Sequence, residues 1–234
     1  MLSTDEIKKL VAEKAVDLVQ DGMVLGIGSG STVAYFIAAI AKKFREGLVC
    51  TSVPTSSQTK LLAGKEGIKL TELNDVSFID LTIDGADETD HQLQLIKGGG
   101  GYLLQEKMVA ASSRELVVIA DNKKYQPFLG EFPLPVEVIP YGWKQVRSKI
   151  ENSFGIEAKL REKEGNPFTT DHGHYILDCC FQKIEDPAGL NARLHLIPGI
   201  VETGLFVDMC NKAIIGFPDG STQIIEKGIN HLIS

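Results

Sequence analysis

The first 120 residues alternate short apolar runs with helical stretches, and no other feature restricts the fold as tightly. Val24-Leu25-Gly26-Ile27 reads as a short buried strand. It leads into Gly28-Ser29-Gly30-Ser31-Thr32, after which Val33 to Ala41 is an apolar helix. Val49–Val53 is strand-like, and Pro54-Thr55-Ser56-Ser57 can cap a helix that runs through Leu62. Further strands are expected at Ile68–Leu70, Phe78–Ile83 and Leu116–Ala120. Ahead of them all, Thr4 can cap a helix whose apolar face is Ile7, Leu10, Val11, Ala15, Leu18 and Val19, with Gly22 ending it. Strands that alternate with helices call for a mostly parallel sheet covered on both faces. The expectation is a doubly wound, Rossmann-like α/β unit.

The rhythm changes after about Gly130. Phe132–Pro140 is extended and punctuated by proline, and Trp143–Phe154 has helical spacing. Ile156–Leu160 and His174–Phe181 read as strands, Pro187–His195 as a helix and Ile200–Val207 as a strand. The order β-α-β-β-α-β is the split βαβ, ferredoxin-like plan. Residues 131–207 are therefore expected to form a smaller α+β domain. Residues 1–130 with 208–234 would form the larger one, to which Lys212–Phe217 and Gln223–Ile229 return. A cleft between the two is implied.

Composition narrows the function. A net charge of −7 leaves no general basic face for nucleic acid or a membrane surface. It does not exclude an anionic small substrate, since a pocket's field is set by two or three lysines. Cys50, Cys179, Cys180 and Cys210 form no CxxC pair, and neighbours 179 and 180 would point to opposite faces of a strand. Reduced, packed thiols are expected rather than disulfides or a metal site. The N-terminus carries Asp5 and Glu6 and no apolar run, and nothing reaches membrane-span length, so a cytoplasmic protein is expected.

Four segments can carry chemistry. Gly26–Thr32 places a glycine turn between strand and helix, where free backbone N–H groups and the positive helix end suit an anion. It fits neither a full Walker A nor a clean GxGxxG, so nucleotide binding is not its natural reading. Asp84-Gly85-Ala86-Asp87-Glu88 follows an apolar strand, the usual place for ligands in open α/β sheets, although a solvated acidic turn has the same composition. Lys97-Gly98-Gly99-Gly100-Gly101 precedes a helix bearing Glu106. Four glycines suit a close backbone approach, and a carboxylate near a helix start suits a general base or an ordinary first-turn acid. Ala120–Lys124 adds positive charge at another strand end. The five histidines form no convincing group; His172 and His174 lack a third ligand.

In this order the segments resemble the ribose-5-phosphate isomerase A family. The similarity runs from Asp5–Lys9 to Gly216–Gly220, with DGADE followed by KGGGG and a helical glutamate as its most specific part. Pro198–Val201 and Gly204–Phe206 add a third recognisable stretch. The resemblance implies an aldose–ketose isomerase of the non-oxidative pentose phosphate pathway, needing neither cofactor nor metal. It implies Glu106 as base, Lys97 against the enediolate oxygen, Asp84 as proton shuttle and ring opener, and Asp87 as an orienting group. Ser29, Gly30, Ser31 and Thr32, with Lys124 and Lys8, would hold the phosphate, and Gly98, Gly99 and Gly100 would line the sugar. A homodimer or homotetramer is implied. Tyr102 stands where a small residue is usual, which puts the loop's local shape in question. Other classes compatible with parts of the pattern are a non-catalytic sugar-phosphate sensor, an amino-sugar phosphate deaminase (with His91), a coenzyme A transferase and a metal-dependent isomerase.

Overall fold

The computed structural model describes residues 1–227. In chain order it contains α1 (Thr4–Val16), β1 (Val24–Ile27), α2 (Ser31–Arg45), β2 (Thr51–Pro54), α3 (Ser57–Lys65) and β3 (Ile79–Asp84). Two short strands, β4 (Glu88–Thr89) and β5 (Leu95–Ile96), precede α4 (Leu103–Ala111) and β6 (Ser113–Asp121). Next come β7 (Leu134–Val138), α5 (Trp143–Phe154), β8 (Ala158–Leu160), the pair β9 (Glu162–Lys163) and β10 (Asn166–Pro167), β11 (Tyr175–Cys179) and α6 (Pro187–His195). The last described elements are β12 (Ile200–Thr203), β13 (Leu205–Phe206), β14 (Lys212–Gly216) and β15 (Thr222–Glu226).

The large sheet has the order β15-β14-β6-β3-β1-β2, with every pair parallel except the β14–β15 edge. From β1 the chain moves outward to β2 and then back across to β3, so the switch point lies between β1 and β3. Ligands in such sheets bind beyond the carboxyl ends at that crevice. Ile27, Ile83, Val117 and Ile119 from the sheet pack with Phe36 and Ile40 of α2 and Val11 of α1 in one core. Each such side chain removed from water stabilises the fold by roughly 1.5–3 kcal/mol. The sheet therefore presents a rigid edge from which the two turns project.

The smaller sheet runs β12-β7-β11-β8, antiparallel throughout, with α5 and α6 contributing Ile150 and Leu194 to its core. This is the expected ferredoxin-like arrangement. A third sheet, β13-β5-β4, joins residues 205–206 to the segment before α4.

Several local expectations are corrected. Ser3, not Thr4, caps α1: its hydroxyl accepts from Glu6 N while Glu6 Oε2 accepts from Ser3 N, a reciprocal capping box. That helix ends at Val16, and Gly22 belongs to a later turn at φ +83°. Ile68–Leu70 forms no strand, only a single bridge from Leu70 to Ser52. Ile200–Val207 is broken at Gly204, where a Cβ would lie 2.3 Å from the Lys97 carbonyl oxygen. Its N–H donates to Pro135 O and its carbonyl accepts from Lys97 N, so the two halves join different sheets. The expected strand Gln223–Ile229 is β15 through Glu226; its last two residues lie outside the described ones. All four cysteines are free thiols, and Cys179 is buried while Cys180 is partly exposed.

Candidate active site

The turn after β1 and the end of β3 meet at the switch point. Gly28 passes so close to Asp84 that a Cβ would fall 2.0 Å from Asp84 Oδ1. Asp84 Oδ1 accepts from Ser29 N (3.0 Å) and Gly85 N (2.7 Å), while Oδ2 faces Lys97 Nζ at 2.9 Å. Lys97, at the end of β5, also donates to Gly85 O at 2.6 Å and lies 3.4 Å from Glu106 Oε1. The side chains of Asp84, Lys97 and Glu106 are 1%, 3% and 6% exposed. A buried ammonium between two carboxylates is thus the centre of the site.

Glu106 lies in the first turn of α4. Burial drives its carboxyl up; Lys97 opposes this, Asp84 and Asp87 add to it, and the group reaches about 8. Burial works against the Lys97 ammonium, but Asp84 and Glu106 outweigh it and hold the group above its ordinary value. Glu106 Oε2 is buried with no hydrogen-bond partner. A carboxylate tuned towards neutral pH, with one oxygen unspent, is suited to accept a proton from a bound molecule.

A cleft of about 560 Å³ opens over this cluster. Among its lining residues are Lys97, Glu106, Asp87, Gly98, Gly99, Gly100 and Tyr102 on one side, and Ser29, Gly30, Ser31, Thr32, Lys8 and Lys124 on the other. Gly30 caps α2 at φ +103° with no side-chain cap, so the first amides of that helix face an anion seat. Lys123, Thr4 and Gln126 line the same end. Among the described residues neither Lys123 nor Lys124 forms an ion pair with an acid, so their charge is available to a ligand. This local excess of positive charge coexists with the chain's acidic total.

Two of the expected site residues, Ser29 and Asp84, are heavily engaged by neighbouring groups. The Ser29 hydroxyl bonds those of Thr55 (2.8 Å), Ser56 (2.7 Å) and Thr59 (3.0 Å), which ties the cleft-lining turn to the wall between β1 and α3. Asp84 lies behind the cleft, its oxygens engaged by Ser29, Gly85 and Lys97. Asp87, by contrast, lines the cleft and spends only Oδ2, on Gly99 N at 2.7 Å. Glu88 accepts from Gly130 N and Phe132 N, holding the passage into the smaller sheet. Tyr102 caps α4 and donates its hydroxyl to Gln58 Oε1 at 3.0 Å, leaving the glycine loop intact beside it.

Lys123 belonged to a segment already notable for charge, and only its neighbour was singled out. Arg161, whose guanidinium donates to Gly98 O and Gly99 O, carried no sequence signal at all. An arginine between two short strands looks like any solvated side chain. Among the described residues, no three His, Cys, Asp or Glu side chains are grouped to hold a metal.

An anion seat at a helix start beside a buried carboxylate–ammonium cluster defines a proton-transferring enzyme for a small anionic molecule. The family model described as "Ribose 5-phosphate isomerase A (phosphoriboisomerase A)" matches residues 51–220. A ribose-5-phosphate isomerase A of Bacillus mycoides is 50% identical over 92% of this chain and 97% of its own. The corresponding protein of Bradyrhizobium diazoefficiens is 44% identical over 97% of this chain and 98% of its own. Among solved structures, ribose 5-phosphate isomerase from Plasmodium falciparum superposes with a TM-score of 0.93 at 39% identity, covering 96% of this chain and all (100%) of its own. A D-ribose-5-phosphate isomerase in complex with phospho-erythronic acid gives 0.93 at 37% identity, over 96% of this chain and 100% of its own. The chain belongs to the ribose 5-phosphate isomerase A family.

Proposed function

We propose that this cleft interconverts D-ribose 5-phosphate and D-ribulose 5-phosphate through an enediolate, with Glu106 as the base for both carbons. The phosphate sits at the start of α2 against Ser31, Thr32, Lys8, Lys124 and, added from the geometry, Lys123. Held there, the sugar lays its first two carbons over Glu106. Glu106 Oε2 takes the C2 proton, and the electron pair moves through C1 onto O1, where Lys97 faces the developing charge. The O2 hydroxyl proton then passes to O1, the C2–O2 carbonyl forms as the C1–C2 double bond takes the stored proton from Glu106 at C1, and ribulose 5-phosphate results. Asp87, with one oxygen unspent in the cleft, is assigned to the sugar hydroxyls and ring opening. Asp84 becomes the group that positions Lys97 and the Ser29 turn. The observation that carries this reading is the unpartnered Glu106 Oε2 beside Lys97.

The division into residues 1–130 with 208–234 and residues 131–207 is part of the proposal, supported by the separate hydrophobic cores of the two main sheets. So are a cytoplasmic setting and a homodimer or homotetramer, which light scattering reads directly. No helix among the described residues is long and apolar enough to cross a membrane.

The test is conversion of ribose 5-phosphate in EDTA by the wild type and Glu106→Gln. The variant should lose roughly 10²–10⁴ in kcat while still binding sugar phosphate. Turnover near wild type in that variant removes Glu106 from the mechanism, and loss of wild-type activity in EDTA overturns the metal-independent reading.

A further inference from the structure

The glycine loop is shaped from the far side by the smaller sheet. Arg161 stands between β8 and β9, and its Nη1 donates to Gly98 O at 2.7 Å and Gly99 O at 3.1 Å. Its Nε and Nη2 donate to the two carboxylate oxygens of Asp178 on β11, at 2.9 and 2.5 Å. A planar guanidinium held at both edges is a rigid part, because its donors form a fixed fork.

The consequence follows from peptide geometry. In a planar trans peptide the C=O and the next N–H point in opposite directions. Arg161 holds the carbonyls of the 98–99 and 99–100 peptides, so the N–H groups of Gly99 and Gly100 point away from it. The direction is the cleft: Gly99 N donates to Asp87, which lines it. Gly100 N makes no hydrogen bond among the described residues, and Gly100 lines the same cleft. A cation on the carbonyl side also polarises each peptide, which strengthens its N–H as a donor.

We infer that Arg161, braced by Asp178, is a positioning residue that fixes the Gly98–Gly100 peptides and turns the Gly100 N–H onto the reacting end of the sugar. The inference rests on the isomerase reading above. The phosphate seat, at the start of α2, is untouched by this arm. Losing Arg161 therefore weakens stabilisation of the transition state while ground-state binding is retained.

The experiment measures kcat and KM for ribose 5-phosphate in wild type, Arg161→Ala, Arg161→Lys and Asp178→Asn, with thermal midpoints in parallel. Arg161→Ala should lower kcat by roughly 10²-fold with KM within a few-fold, as expected for a lost or misdirected donor. Millimolar guanidinium should restore part of that kcat. Arg161→Lys should stay closer to the alanine variant, since one ammonium cannot span two carbonyls and a carboxylate. Asp178→Asn should fall between. A folded Arg161→Ala protein with wild-type kcat overturns the inference, as does a loss that merely tracks the thermal midpoint in all three variants and is not rescued by guanidinium. A wild type that does not isomerise ribose 5-phosphate overturns the reading beneath it, a result visible before any variant is compared.

Discussion

Replacing Glu106 by glutamine should do more than stop catalysis: it should make stability less sensitive to pH, in a direction the structure dictates. The carboxyl rises from an ordinary 4.5 to about 8, with burial the leading cause. Between those values the native state keeps a proton that the unfolded chain has released. The unfolded state then binds fewer protons, so wild-type stability falls as pH rises through this window and levels off above about 8. The whole interval is worth on the order of 5 kcal/mol for this 95%-buried group. Glutamine does not titrate, the groups remote from it titrate alike in both proteins and cancel in the difference, and Lys97, held above its ordinary value, stays charged across the window. The midpoint of Glu106→Gln minus that of the wild type should thus grow from about pH 5 to about pH 9 by roughly 10 °C, at about 2–4 °C per kcal/mol for a chain of this size. Differential scanning calorimetry at a series of pH values reads it. In the same buffers, wild-type kcat/KM should climb about tenfold per pH unit until it bends near about 8. A midpoint difference that stays constant, or shrinks with pH, refutes the argument that burial tunes this base.

Three further outcomes follow from named contacts. Lys97→Met leaves Asp84 and Glu106 as buried acids without their shared cation, so it should cost about 3–5 kcal/mol in chemical denaturation and at least about 10²-fold in kcat. Gly28→Ala puts a methyl 2.0 Å from Asp84 Oδ1 and 2.6 Å from its Cα, so the end of β3 must shift. A folded but nearly inactive protein is expected, seen by near-UV circular dichroism beside the isomerase assay. Lys8→Ala and Lys124→Ala should each raise KM about tenfold with little change in kcat, and both should flatten the dependence of kcat/KM on ionic strength.

Where local signals were strong, the sequence could be read to the residue. Trp143–Phe154 is flanked by left-handed Gly142 and Gly155, and Pro187–His195 starts on an Asp186 cap with proline in its first turn. Where tertiary pairing decides, it could not. Strands β4 and β5, of two residues each, have no periodicity and exist because β13 arrives from more than a hundred residues away. The same distinction runs through the site. Asp87, Lys97 and Glu106 sit at element ends within one stretch of chain, so their grouping was legible. The hydroxyl partners of Ser29 at 55, 56 and 59 are not legible in the sequence, because the β1–β2 pairing and the α3 cap bring them beside it. The burial of Asp84 is likewise something no motif reports.

The reacting groups come from one short segment, residues 84–106, which orients them in part through Asp84 and Gly85 but is itself held from elsewhere in the chain. That segment contains two strands too short to stand alone. Its lysine backbone is held by Gly204, its glycine carbonyls by Arg161, and its helix by Lys107, whose ammonium donates to Glu202 and Thr203 O. From the other direction, Ser29 N fixes the carboxylate that fixes Lys97. A buried carboxylate–ammonium pair is favourable only when geometry is tightly held, because desolvation of each charge is expensive. The large sheet anchors Asp84, and the smaller sheet anchors the loop and helix that carry Lys97 and Glu106. The site therefore exists only when both are folded and docked, which is why its chemistry is local in sequence and its activity is a property of the whole chain.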